Sequence, residues 1–230
     1  MKLRFFALLL LLPVLTQAQH IQYTEPEQED SRRTNFEIIG KVSGNILVFK
    51  NNRNSNAISI YNDEMKLLQR VPLDYLPEKY TNIEFVQYPD FFYMMYEYEK
   101  RNIVHFAAVK LDGQAKRMGD PVDLDTTQVR AFSNNKIYTH VVSEDKQRLM
   151  ILKINSRNPK NYVFTTFLFN NDLELLDRHR IDMAIEDRNS AFTSFALDDD
   201  GQLVFAKYVS NSSGEYVSRV SLITKAARSD

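Results

Sequence analysis

No cysteine occurs among the 230 residues, which excludes a disulfide framework, a thiolate metal site, a cysteine nucleophile and acylation through a thiol. Tryptophan is absent too, and only 6 glycines are present. A chain this poor in glycine must build tight turns from other residues that tolerate left-handed backbone, chiefly Asn and Asp. Charge of one sign is also missing: 29 Lys+Arg stand against 30 Asp+Glu, evenly mixed, for a net of −1. Recognition of nucleic acid or of an anionic membrane surface needs clustered Lys and Arg, so neither is an expected partner. There is no Gly-x-Ser-x-Gly elbow and no glycine-rich phosphate loop, so neither a serine hydrolase centre nor a nucleotide cofactor is expected.

One long apolar run exists, and it opens the chain. Lys2 and Arg4 precede the unbroken stretch Phe5–Leu12, Pro13 follows, and Thr16-Gln17-Ala18 places small residues at −3 and −1. This is the layout of a secretory signal peptide, residues 1–18, cut after Ala18. Its core is too short to span a bilayer, which takes ~20 residues, and no other segment reaches that length. The expected location is therefore outside the cytoplasm (periplasmic, cell-surface or secreted), with no membrane span after cleavage. Residues 19–34, which include Glu25-Pro26-Glu27-Gln28-Glu29-Asp30, form a polar, charge-dense, flexible lead-in with little to bury.

From Phe36 onward one phrase recurs: a β-rich strand, a tight Asn/Asp/Gly turn and a second strand. It turns at Asn62-Asp63, at Asp112-Gly113 and at Asn170-Asn171-Asp172. A second set of hairpins turns at Ser43-Gly44-Asn45, Pro89-Asp90, Glu144-Asp145-Lys146 and Asp199-Asp200-Gly201, with Gly44, Asp90, Asp145 and Asp200 spaced 46, 55 and 55 residues apart. Periods near ~40–50 residues with four strands each mark propeller blades. The strands Ile46–Phe49, Phe91–Tyr96, Leu149–Leu152 and Leu203–Ala206 are apolar without alternation, as strands covered on both faces must be. The fold expected is all-β and β-propeller-like, with about four four-stranded blades at approximately 35–74, 80–125, 128–183 and 189–230. The fourth blade shows three strands. Either the segment His20–Thr24 supplies its outer strand, or the chain is the front part of a longer propeller, and the second reading is preferred because four-bladed rings are the small extreme of the class.

Candidate sites are few. His105, His140 and His179 lie in different units and lack the spacing of a metal site on one element, so no metal is expected. Asp198-Asp199-Asp200-Gly201 reads as a hairpin turn, because no distant bidentate Glu follows to complete a calcium loop. The carboxylates, Glu84, Asp90, Glu97, Glu99, Asp145, Asp172, Asp177 and Asp182 among them, lie mostly in turns or charge-mixed strands and read as solvated surface, since sequence gives no means of pairing two of them for glycoside hydrolysis. The aromatic block from Tyr88 to Tyr98 reads mainly as core. Where it meets charge, Tyr93, Tyr96, Tyr98, Arg101 and His105 are the expected ligand-binding residues.

The leader ending Thr16-Gln17-Ala18-Gln19, the hairpin Ser143–Gln147 and the phrase Leu168–Leu176 resemble exported β-propeller-like repeat proteins of Gram-negative bacteria, over most of residues 36–224. The Trp-Asp and Gly-Gly signatures of the WD40 and kelch types are absent. The resemblance implies a scaffold and a compartment. Together with the missing catalytic constellation, it leads to an expectation of a non-enzymatic, exported binding scaffold for a protein, peptide or glycan. The alternatives are the front part of a glycan- or peptide-acting propeller enzyme and a structural subunit of an envelope assembly.

Overall fold

Turn chemistry organises the chain. In the computed structural model, which describes residues 21–26, 35–52, 55–128, 137–157, 161–184, 190–211, 213–214 and 216–227, one hairpin turn recurs. In it the amide three residues after the opener donates to the opener's carbonyl: Met65 to Asn62, Lys146 to Ser143, Leu173 to Asn170, Gly201 to Asp198 and Gly214 to Asn211, all at 3.0–3.1 Å. Side-chain oxygens of Asn62, Asp112, Asn170 and Asp198 accept a further amide each from Lys66, Lys116, Glu174 and Gln202, at 2.7–2.9 Å. The closing residue is left-handed whether or not it is glycine, with φ of 58° at Met65, 56° at Ala115, 59° at Lys146 and 61° at Leu173. Asn and Asp thus do the work that glycine does in other β-proteins.

These turns join fifteen strands: β1 (Asn35–Val42), β2 (Asn45–Asn52), β3 (Ser55–Tyr61), β4 (Leu67–Pro72), β5 (Tyr80–Gln87), β6 (Phe91–Lys100), β7 (Ile103–Asp112), β8 (Val122–Gln128), β9 (Tyr138–Val142), β10 (Arg148–Arg157), β11 (Asn161–Asn170), β12 (Leu175–Ala184), β13 (Ser190–Leu197), β14 (Leu203–Ser210) and β15 (Val217–Lys225). They pair in sequence order into four antiparallel sheets, β1–β4, β5–β8, β9–β12 and β13–β15. No helix occurs among the described residues. The fold is all-β and propeller-like, with about four blades. The leader expected over residues 1–18 lies outside the described residues, as does most of the expected lead-in.

The chain divides into two compact units, Met1–Asp74 with Gly113–Ala115, and Tyr75–Asp112 with Lys116–Asp230. In the first, Leu47 and Phe49 oppose Ile60 and Ile58 across β2 and β3, and all four are buried. Gly113 presses on the β1–β2 turn: a Cβ there would stand 2.8 Å from the Val42 carbonyl oxygen. Only glycine fits.

In the second unit three sheets stack through two cores. Val86, Tyr93, Met95, Phe106 and Ala108 of the second sheet pack with Tyr138, Leu149, Ile151, Phe167 and Phe169 of the third. The opposite face of that third sheet, with Met150, Leu152, Tyr162, Phe164 and Leu168, packs with Leu197, Leu203 and Phe205 of the fourth. Neighbouring residues of β10 therefore serve different cores, which is why the strand shows no alternation. β11 goes further, since Tyr162 to Phe169 are all buried.

The four strands expected to be two-sided are not equivalent. β6 is buried from Phe92 to Glu97 and β10 from Leu149 to Lys153. In β2 and β14, by contrast, burial alternates: Leu47, Phe49, Leu203 and Phe205 are buried while Ile46, Val48, Val204 and Ala206 are half-buried. For β14 the cause is an uncovered second face on the fourth sheet. The alternative in which the lead-in supplies the fourth strand is not seen among the described residues. Residues 21–26 carry no strand, and Tyr23–Pro26 line a hollow with Tyr61 and Glu64–Leu67.

Candidate functional site

The five residues nominated from sequence lie on β6, on β7 and in the turn between them, and the strand residues divide between the two faces of the second sheet. Lys100 opposes Ile103 across the two-residue turn Arg101-Asn102, whose φ values are 55° and 62°. That register sets Tyr98 opposite His105, and their rings stack at 4.7 Å with 11° between planes. Tyr96 lies on the same face, 6.0 Å from Tyr98. It is buried, and burial above all, helped by nearby Tyr98 and Asp123, pushes its hydroxyl up to about 12. Arg101 is exposed at the turn. Tyr93 stands on the opposite face, inside the core, where its hydroxyl donates to the Asn171 carbonyl at 3.0 Å. Tyr93 and Tyr96 therefore share no surface, and Tyr98, His105 and Arg101 are the accessible remainder.

Asp123 completes that remainder and was invisible in the sequence. It holds His105 Nδ1 at 2.9 Å and accepts from the Tyr98 hydroxyl at 3.5 Å. Its position follows from a bulge: Phe106 opposes Asp125 and Ala107 opposes Asp123, leaving Leu124 as the extra residue. The bulge sends Asp123 and Asp125 to opposite faces, although two residues apart in a regular strand they would share one. Asp125 accordingly enters the interface of the second and third sheets. There it accepts from the Tyr138 hydroxyl at 2.7 Å and from Lys153 Nζ at 2.6 Å, while Thr127 and the Tyr138 hydroxyl bond at 2.7 Å. Glu97, 1% exposed, accepts the amides of Ile137 and Tyr138 at 3.3 and 3.4 Å. This polar seam fixes β9 against β6 and β8.

The histidines do not gather. His105 is held by Asp123, His140 by Glu84 and His179 by Asp177, each pair on its own strands. Asn82 donates to the other Glu84 oxygen at 2.8 Å. Among the described residues no group of three or more His, Asp and Glu could hold a metal. The Asp198–Gly201 segment is a turn, and Asp199 accepts the amide of Asp145 at 3.0 Å.

The feature that departs most from the repeat is the outer side of the fourth sheet. β15 pairs with β14 from Lys225↔Leu203 to Val217↔Ser210, and among the described residues it has no strand on its other side. The outer strands of the other sheets are edges as well, carrying Pro72 in β4, Asp123 and Asp125 in β8, and Asp177, Arg178, His179, Arg180 and Asp182 in β12, and they too expose apolar side chains: Leu67 and Leu68, Val122, and Leu175 and Leu176. β15 carries Arg219 and Lys225 and exposes apolar residues between them, with Val220 61% and Leu222 76% accessible. Beside it runs a groove of about 350 Å³ whose floor is Ile181, Met183, Phe205 and Ile223 and whose rim holds His179, Arg180 and Lys225. Register places Arg219, Ser221, Ile223 and Lys225 on the face of β15 that shares the buried side with Leu203 and Phe205. An extended chain added to β15 would lay alternate side chains into this groove. No sequence pattern announces it, because the groove exists only where a three-stranded sheet stacks on a four-stranded one.

No family model matches the chain, and no curated protein matches it. Solved structures similar to the chain include the following two. One is a thermostable family-43 glycoside hydrolase, 14% identical, with 88% of this chain and 72% of that chain covered and a TM-score of 0.44. The other is an uncharacterised protein of Listeria monocytogenes, 10% identical, with 90% of this chain and 69% of that chain covered and a TM-score of 0.32. At these values the likeness carries no argument about chemistry.

Proposed function

We propose that the protein is an exported, non-enzymatic binding scaffold that takes an extended polypeptide by strand addition along β15. The observation that carries this reading is the coincidence of an edge strand that exposes Val220 and Leu222 with an adjacent groove rimmed by Arg180 and Lys225. Main-chain bonds to the edge supply affinity that is independent of sequence, and the groove selects side chains at alternate positions. The floor of Ile181, Met183 and Ile223 accepts apolar side chains, and Arg180 and Lys225 at the rim favour acidic neighbours. A segment of six to eight residues buries an interface at the small end of the range, for which affinity near micromolar is about what is expected.

The test is fluorescence anisotropy with labelled extended peptides in which apolar and acidic residues alternate. Binding should weaken about tenfold on Lys225→Glu, which removes one rim charge and adds a repulsive one. It should persist on Arg101→Glu at the β6–β7 turn. Binding indifferent to β15, or hydrolytic turnover of a peptide or glycan panel, refutes the proposal.

A further inference from the structure

We infer that the aromatic row at the β6–β7 turn end of the second sheet is a separate site for a neutral oligosaccharide, and it shares no residue with the β15 groove. Register builds the row. Tyr80 of β5 pairs with Tyr98 of β6, Tyr98 with His105 of β7, and His105 with Thr126 of β8. Residues directly opposite one another on paired strands stand side by side on one face. Neighbouring strands lie ~4.8 Å apart, so Tyr80 to His105 spans roughly 10 Å, room for two sugar rings in line. Tyr80, Tyr98 and His105 are half-buried and Thr126 is exposed, so the row opens to solvent.

The platform is fixed before any ligand arrives. Asp123 holds both central rings, taking His105 Nδ1 at 2.9 Å and the Tyr98 hydroxyl at 3.5 Å, and the stacked planes differ by 11°. Rings held in place bind without losing side-chain freedom. The Asp123 side chain still stays 44% exposed.

Hydrogen-bonding capacity selects the ligand. A carboxylate only accepts, so the proton between Asp123 and His105 sits on Nδ1, and the neutral imidazole presents Nε2 as an acceptor. The Tyr98 hydroxyl proton is engaged by Asp123. Asp123 and Nε2 therefore offer acceptors beside the rings, and Thr126 works in either sense. A polyol matches this set, because its hydroxyls donate to the acceptors while its C–H faces lie on the rings. A proline-rich segment, another ligand of aromatic rows, brings carbonyl acceptors and few donors, and would leave Asp123 and Nε2 unanswered. A cationic ligand meets Lys100, two positions beyond Tyr98 on the same face, and Arg101 in the turn, both exposed. An anionic ligand meets Asp123. Like charges at a contact oppose binding, which leaves a neutral ligand.

Calorimetric titration with cellotetraose, xylotetraose, mannotetraose and chitotetraose tests this. At least one should bind. Tyr98→Ala should weaken that binding about tenfold or more, whereas Tyr98→Phe, which keeps the ring, should change it by less than about twofold. Asp123→Asn, of the same shape, should weaken it several-fold, because a charged acceptor is lost. Circular dichroism of the variants should match wild type; where Tyr98→Ala alters the spectrum, Asp123→Asn decides. Failure of all four sugars to bind at millimolar concentration overturns the inference, and so does sugar binding that Tyr98→Ala and Asp123→Asn leave unchanged. Binding of a decaproline peptide that depends on Tyr98, with no sugar bound, overturns it as well.

Discussion

Truncating two adjacent residues of β10 separates a sheet covered on both faces from one covered on a single face. Ile151 and Leu152 are both fully buried, yet Ile151 belongs to the core shared with the second sheet and Leu152 to the core shared with the fourth. Each change to alanine removes three carbons, worth ~0.8 kcal/mol apiece in transfer alone, so about 2.4 kcal/mol before the cavity is counted. With the cavity, each should cost about 3 to 4 kcal/mol. Because the two side chains face different cores, the double variant should cost nearly the sum, with coupling under ~1 kcal/mol. Leu222→Ala, on the bare face of the fourth sheet, should move stability by no more than about 0.5 kcal/mol. Urea unfolding followed by circular dichroism and tyrosine fluorescence measures all four proteins, tryptophan being absent. If Ile151→Ala or Leu152→Ala costs under ~1 kcal/mol while the other costs its full amount, the sheet has only one covered face and the stacking account is wrong.

Two further predictions concern the polar seam and the tyrosines. Lys153→Met leaves the Asp125 carboxylate without its ammonium partner beside Tyr138 and should cost about 3 to 5 kcal/mol, whereas Lys153→Met with Asp125→Asn should recover much of that loss. A double variant no more stable than Lys153→Met in chemical denaturation contradicts the pairing. Burial, before any neighbouring charge, raises the hydroxyls of Tyr75, Tyr93, Tyr96 and Tyr138, so the folded state keeps them neutral while an unfolded chain ionises near ~10. Their contribution is complete below that pH and is lost as pH climbs through the folded value, about 12 for Tyr96. Phenolate absorbance should therefore appear together with loss of circular dichroism. Full ionisation of a still-folded protein at the ordinary tyrosine value refutes it.

What the sequence disclosed and what it withheld follow one physical division. Local chemistry was legible. Asn62, Asp112, Asn170 and Asp198 open turns because their own side chains bond amides within four residues, and these turns sit where the Asn/Asp pattern placed them. β6 and β10 were readable as doubly covered because six and four apolar positions run without a break. Properties set by a neighbouring sheet were not legible. Leu203–Ala206 looks like Leu149–Leu152 as a string, yet Val204 and Ala206 are only half-buried and among the described residues face no partner sheet. Tyr98 and His105 were both nominated, and the turn at Arg101-Asn102 does pair them. Asp123, though, joins them only through the bulge at Leu124, and a bulge leaves no mark in hydrophobic periodicity. Tyr93 was grouped with Tyr98 by proximity in sequence, but odd and even positions of a strand part company.

The claim on which the functional account depends is that β15 is an open template for another strand. Amide hydrogen exchange along Val217–Lys225, with and without an alternating apolar–acidic peptide, tests it most directly. The account predicts that the outward-facing amides of β15, those not bonded to β14, exchange fast in the free protein and become protected on addition of peptide, while the amides of β4 and β8 do not change. Slow exchange of those amides before any peptide is added, or protection that appears elsewhere and leaves β15 untouched, contradicts it.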